Sequence, residues 1–111
     1  MLFRSSFAQL EEGRARAAAG DFAAAREAFA AAAAGGGLQP DFYCEARLQQ
    51  AACAARIGQY EEALTVLDEL ARGAPDVARV EAMRTFVKAR QSGRQADAPD
   101  GYEANPVPAG P

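Results

Sequence analysis

Two stretches, Gly20-Asp21-Phe22-Ala23-Ala24-Ala25-Arg26-Glu27-Ala28-Phe29 and Gly58-Gln59-Tyr60-Glu61-Glu62-Ala63-Leu64-Thr65-Val66-Leu67, carry one pattern. Each has a glycine, a polar residue, an aromatic and, three residues after the aromatic, an alanine. Both then continue at helical spacing. Phe22, Ala25, Phe29 and Ala32 in the first, and Tyr60, Ala63, Leu67 and Leu70 in the second, stand at i, i+3, i+7 and i+10, so each series lies on one helix face. The glycine before each helix has a physical reason: the end of the preceding helix needs a residue that enters the left-handed region without penalty. Gly20 and Gly58 therefore read as the turns of two helical hairpins. Asp21 suits the start of the next helix because its carboxylate accepts from a backbone N–H there, while Gln59 is a poorer cap.

Outward from these turns, the first helices of the hairpins are expected from about Arg4 to Ala19 and from Asp41 to Ile57, with Pro40 and Asp41 opening the second. Gly35-Gly36-Gly37-Leu38-Gln39 separates the hairpins and cannot continue a helix. Gly73-Ala74-Pro75-Asp76 ends the second hairpin and begins a last helix, which runs to about Gln91. The expected organisation is an all-α domain over residues 1–91, made of hairpins at about 4–34 and 41–73 and a capping helix at about 76–91. From Ser92 the chain turns to Pro, Gly, Ala and Asp with few apolar anchors, and residues 92–111 are expected to be a disordered tail.

Composition agrees with this organisation. A chain of 111 residues, 50% hydrophobic, has room for one small core. Much of its apolar content is alanine, a strong helix former with little volume, so packing must rest on a few large anchors such as Phe22, Phe29, Leu48, Leu67 and Val80. No extended β-branched run suggests a sheet. The formal net charge is -3 and the arginines are spread along the chain, which disfavours a nucleic-acid footprint. Lys88 is the single lysine among many arginines and alanines, a bias that points to a GC-rich bacterial genome. Phe7 to Leu10 runs directly into Glu11 and Glu12, so no secretory leader and no membrane span is read, and a cytoplasmic location is the expectation.

The residue types present leave little room for enzyme chemistry. With no histidine, Ser/His and Cys/His pairs and histidine metal sites are excluded, and no metal or cofactor is expected. The glycine run is not followed by Lys-Ser or Lys-Thr, so it is read as a loop and not a phosphate cradle. Glu11-Glu12 and Glu61-Glu62 are expected on solvated helix faces. Cys44 and Cys53 are nine residues apart on one expected helix, which puts them on opposite faces, roughly 13 Å apart and unable to pair.

Taken together, these units resemble the tetratricopeptide repeat, a helix-turn-helix of about 34 residues. Gly13, Gly20, Phe22, Ala25, Phe29 and Ala32 fit one repeat, and Ala51, Gly58, Tyr60, Ala63, Leu67, Leu70 and Pro75 fit a second. Gln9 and Arg47 stand where the repeat usually opens on a tryptophan or another large residue. The resemblance implies a short α-solenoid whose first helices line a groove that holds a segment of a partner protein. Carried over residue by residue, the candidate groove set is Leu10 and Arg14 from the first helix, Leu48, Gln49 and Arg56 from the third, and Met83, Phe86 and Arg90 from the last. Apolar anchors flanked by arginines suit an amphipathic segment with acidic groups. Core packing is the competing role for these residues. It is the expected one for Phe7 and Val80, while Leu10, Met83 and Phe86 are open to either. The implied function is a binding adaptor or co-chaperone. The alternatives are an assembly or secretion-type chaperone subunit with an obligate partner, and a homo-oligomer.

Overall fold

The computed structural model describes residues 5–73 and 76–93. Five helices follow in order: α1 Ser6–Ala18, α2 Phe22–Ala34, α3 Pro40–Arg56, α4 Tyr60–Ala71 and α5 Val77–Gln91. No strand occurs among the described residues. The all-α layout of two helical hairpins and a further helix is the fold class expected from the repeat. The expected start at Arg4, the Ala74-Pro75 break and the expected disorder beyond Gly93 lie outside the described residues.

The two hairpin turns are built alike. Gly20 and Gly58 have φ of 85° and 84°. At the first turn Asp21 N donates to Arg16 O at 2.9 Å and Gly20 N to Ala17 O at 3.0 Å. At the second, Gln59 N donates to Ala54 O at 2.8 Å and Gly58 N to Ala55 O at 3.2 Å. This paired closure satisfies the last carbonyls of α1 and α3 and requires a left-handed residue between its two donors, which is why glycine stands there. The helices that follow start differently. The Asp21 carboxylate accepts from Ala24 N at 3.2 Å, whereas Gln59 makes no side-chain cap. Replacing Gln59 with Asp is expected to raise stability by about 0.5–1 kcal/mol. A urea midpoint unchanged from the native chain would contradict that.

Each helix packs on the next in sequence, and α5 also packs on α3. Thus α2 sits between α1 and α3, and α4 between α3 and α5, with the odd-numbered helices in one layer and the even-numbered in the other. Helix α3 is the shared wall. Most of its residues are buried, including Ala46 and the run Leu48 to Ala55. It divides the core in two. On one side Ala46 and Cys53 join Leu10, Ala17, Ala25, Phe29 and Ala32. On the other, Cys44, Leu48, Ala51 and Ala55 join Ala63, Leu67, Val80, Met83, Phe86 and Val87. The two cysteines thus fall on opposite faces, and both are free thiols.

With so much alanine at these contacts the helices lie close together, and the arginines bridge them around the core. Arg26 on α2 reaches Glu62 on α4 at 3.4 Å, and Gln50 Nε2 of α3 donates to the same carboxylate at 3.1 Å. Arg47 of α3 pairs with Glu69 of α4, and Arg84 of α5 with Asp68 of α4 at 2.9 Å. Glu62 is therefore a half-buried bridge and not the solvated charge expected from the Glu61-Glu62 pair; Glu61 remains exposed. Arg47 stands where the resembling repeat usually has a large apolar residue, and it holds α3 to α4 through an ion pair instead.

Candidate functional site

One stripe of α3 is Glu45, Gln49, Ala52 and Arg56, spaced i, i+4, i+7 and i+11. On α5 the residues 34 positions later, Arg79, Met83, Phe86 and Arg90, repeat that spacing. Contacts between the two stripes occur at both ends. Toward the helix starts, Arg79 pairs with Glu45, and Gln49 Nε2 donates to the Glu45 carboxylate at 3.0 Å. This cross-link neutralises the charges there. Toward the helix ends, the Arg56 guanidinium lies 5.2 Å from the centroid of the Phe86 ring and 5.6 Å from that of Phe22, the first residue of α2. The Arg90 guanidinium lies 5.8 Å from the same Phe86 ring. Two cations thus share one aromatic ring at the mouth between α3 and α5.

Their position has a local cause. Arg56 and Arg90 both occupy the last turn of their helices, where the helix dipole favours a cation. The ring quadrupole adds attraction within about 6 Å. Packing against a ring uses the face of a guanidinium; the Nε of both arginines is enclosed, and the terminal N–H groups lie in the plane that suits carboxylates. Among the described residues, no carboxylate lies within ion-pair distance of Arg90 or Lys88 in this last turn. Chemically, this end of the layer is suited to hold an acidic side chain or a terminal carboxylate beside apolar surface.

Not every residue expected at the groove is on its surface. Leu10, Leu48 and Met83 are 0% exposed and belong to the two half-cores, so burial removes them from any wall a partner can touch. Phe86 is 3% exposed, with the guanidiniums of Arg56 and Arg90 against its ring. Gln49 is buried and bonded to Glu45. The reachable members are Arg14, which pairs with Glu11 at 2.8 Å, together with Arg56 and Arg90. Core packing holds for Val80 but not for Phe7, which is 51% exposed and meets Phe42 edge-on at a centroid distance of 5.9 Å. Phe22 is a site residue that the groove set omits. Sequence spacing does not link Phe22 to Arg56; the packing of α2 on α3 brings them together.

At the opposite end of the odd-helix layer, Phe7, Phe42, Tyr43 and Val77 are the exposed large apolar residues, in the opening turns of α1, α3 and α5. A recess of about 750 Å³ adjoins Phe7, lined also by Ser5, Ala31, Gly36 and Leu38 among others. The Ser6 hydroxyl donates to the Gly36 carbonyl at 2.6 Å and ties this loop to α1. No His/Cys/Asp/Glu group among the described residues has the arrangement of a metal site. No described helix is long and apolar enough to cross a membrane.

Burial raises both thiols. The Cys44 thiol rises above its ordinary value, and Cys53 is pushed up to about 12, chiefly by desolvation and only partly offset by Arg56 and Arg26. The neutral thiol is thus the form the fold prefers. Its stability contribution is complete below the unfolded thiol pKa and is lost as pH rises toward the folded value. Between pH 8 and pH 11 the native chain is expected to lose about 2–3 kcal/mol through Cys53. Urea titrations at both pH values should give a loss smaller by that amount in Cys53→Ala; equal losses would contradict the assignment.

No family model matches this chain, and comparison with curated proteins and with solved structures likewise finds no match.

Proposed function

We propose that this chain is a protein-binding module of the tetratricopeptide kind, an adaptor or co-chaperone acting in the cytoplasm, which holds an acidic, partly apolar segment of a partner against the ends of α3 and α5. The observation that carries this reading is the pair Arg56 and Arg90, 34 residues apart and gathered on the Phe86 ring. A cation held on an aromatic surface binds a carboxylate more tightly than a solvated arginine does, because part of its ordering and desolvation cost is met before binding. The activity is binding alone. In support, the sequence has no histidine, and both cysteines are buried with raised pKa, the opposite of an activated nucleophile.

A peptide-display selection on the full chain tests this reading. Enriched peptides are expected to carry acidic residues next to apolar ones. Their affinity should fall at least about tenfold for Arg56→Glu, Arg90→Glu, as loss of charge-assisted contacts of about 1.5–3 kcal/mol implies. Enrichment without acidic residues, or equal affinity for a variant of unchanged helical circular dichroism, would count against it.

A second reading, a chaperone subunit with an obligate partner or a homo-oligomer, draws support from Phe7, Phe42, Tyr43 and Val77 exposed at the other end of the layer. Its sign would be a sedimentation coefficient of the isolated chain that rises with concentration.

A further inference from the structure

The last turn of α5 leads directly into residues 94–111 of the same chain, and their charge is the complement of the arginine site. That segment contains Asp97, Asp100 and Glu103 against a single Arg94. The rest of the chain holds 11 basic and 12 acidic residues, so most of the net charge of -3 comes from the segment after α5. Within the described residues most acidic side chains are already engaged: Glu11, Glu12, Asp21, Glu27, Glu45, Glu62, Asp68, Glu69 and Glu81 each have an arginine partner. Arg90 and Lys88, in the turn from which the segment departs, have none among those residues.

We propose that Asp97, Asp100 and Glu103 dock on the Arg56 and Arg90 site of their own chain and compete there with an acidic partner segment. Distance permits it. Arg90 is three residues before Gly93, and a chain extends at most about 3.3–3.6 Å per residue, so Asp97 reaches roughly 13 Å and Glu103 roughly 33 Å beyond Gly93. Tethering so short a segment gives an effective concentration of order millimolar, so the site is mostly occupied when two or more of these carboxylates engage it together. Tyr102, between Asp100 and Glu103, supplies an aromatic face to the same guanidiniums. The segment is thus a built-in competitor, displaced only by a partner with more carboxylates or a better apolar fit. The competitive role rests on the binding function proposed above; the docking itself does not.

The test uses the full chain with a nitroxide attached through Ala104→Cys, the native thiols being buried and slow to label. Amide signals of Phe22, Phe86 and Arg90 are expected to lose more than half their intensity at low ionic strength. They should recover at about 0.5 M salt, where the Debye length falls to a few ångströms. They should also recover in the variant Asp97→Asn, Asp100→Asn, Glu103→Gln. That variant should bind a display-selected acidic peptide about three- to tenfold more tightly, as release from a mostly occupied site requires. Signals unaffected by the label, or broadening that persists after neutralisation, would overturn the proposal. Broadening that appears only between labelled and unlabelled copies would overturn it in favour of docking on a second molecule. If the segment fails to dock while selected peptides still bind through Arg56 and Arg90, self-competition alone falls. If it docks while no peptide binds, the partner-binding reading falls instead.

Discussion

The variant Leu10→Asp, Met83→Asp is expected to be unfolded at 25 °C. Leu10 is fully enclosed among Ala17, Ala25, Phe29 and Ala32, and Met83 among Leu48, Leu67, Val80 and Val87, one in each half-core. An aspartate at either position must bury a charge without a partner or be protonated, and each choice costs several kcal/mol on top of the lost apolar contacts. The two losses fall in separate clusters and should add. Their sum takes up most or all of the roughly 5–15 kcal/mol typical of a small domain. Far-ultraviolet circular dichroism should show the helical signal largely lost. A cooperative melt within a few degrees of the native chain would mean that these residues face solvent and that the helices pack otherwise.

A single truncation, Phe29→Ala, is expected to cost about 3–5 kcal/mol. Its ring is 0% exposed and lies directly on Gly13 of α1, where an added Cβ would come within 2.7 Å of the ring. The glycine is thus the socket for this ring, and the α1–α2 hairpin closes on that contact. The same contact fixes the sign of a second substitution. Alanine is usually favoured over glycine inside a helix, yet Gly13→Ala should destabilise here, by about 1–3 kcal/mol, because the ring must shift in a packed core. Combined with Phe29→Ala, the added methyl enters the space the ring has left, so the pair should cost clearly less than the sum of the single changes. Urea titration of the three variants measures this. Strict additivity, or a cost below 1 kcal/mol for Phe29→Ala, would contradict the packing.

The hairpins were legible because their signals are local. Gly20 and Gly58 announce left-handed closures, Asp21 differs from Gln59 as a cap for a reason visible in each side chain, and the nine-residue offset of the cysteines determines the faces they take. Surface and core on α1, α3 and α5 were not legible in the same way. Helix α3 is alanine-rich and enclosed on two sides, so its pattern has little contrast, and the register that marks Leu48 as a groove residue fits a core residue equally well. Phe7 lies on the stripe that contains Leu10 but one turn earlier, in the opening turn of α1, where Phe42 meets it only edge-on. Periodicity gives the direction of a side chain and not how far the neighbouring helix extends to cover it. The bridges Arg26–Glu62, Arg47–Glu69 and Arg84–Asp68 join different helices and follow from packing alone. So does the gathering of Arg56 and Arg90 on Phe86, with Phe22 against Arg56, since sequence spacing links Arg56 to Arg90 through the repeat but says nothing of the ring between them.

Amide chemical-shift mapping of the full chain, titrated with a display-selected acidic peptide, tests most directly whether the ends of α3 and α5 bind acidic segments. Saturable shifts are expected to concentrate at Phe22, Arg56, Phe86 and Arg90, with α2 and α4 beyond their first turns unchanged, and the pattern is expected to be lost in Arg56→Glu, Arg90→Glu. Shifts centred on the outer faces of α2 and α4, or on Phe7, Phe42 and Tyr43, would contradict it and move the binding surface to that part of the molecule.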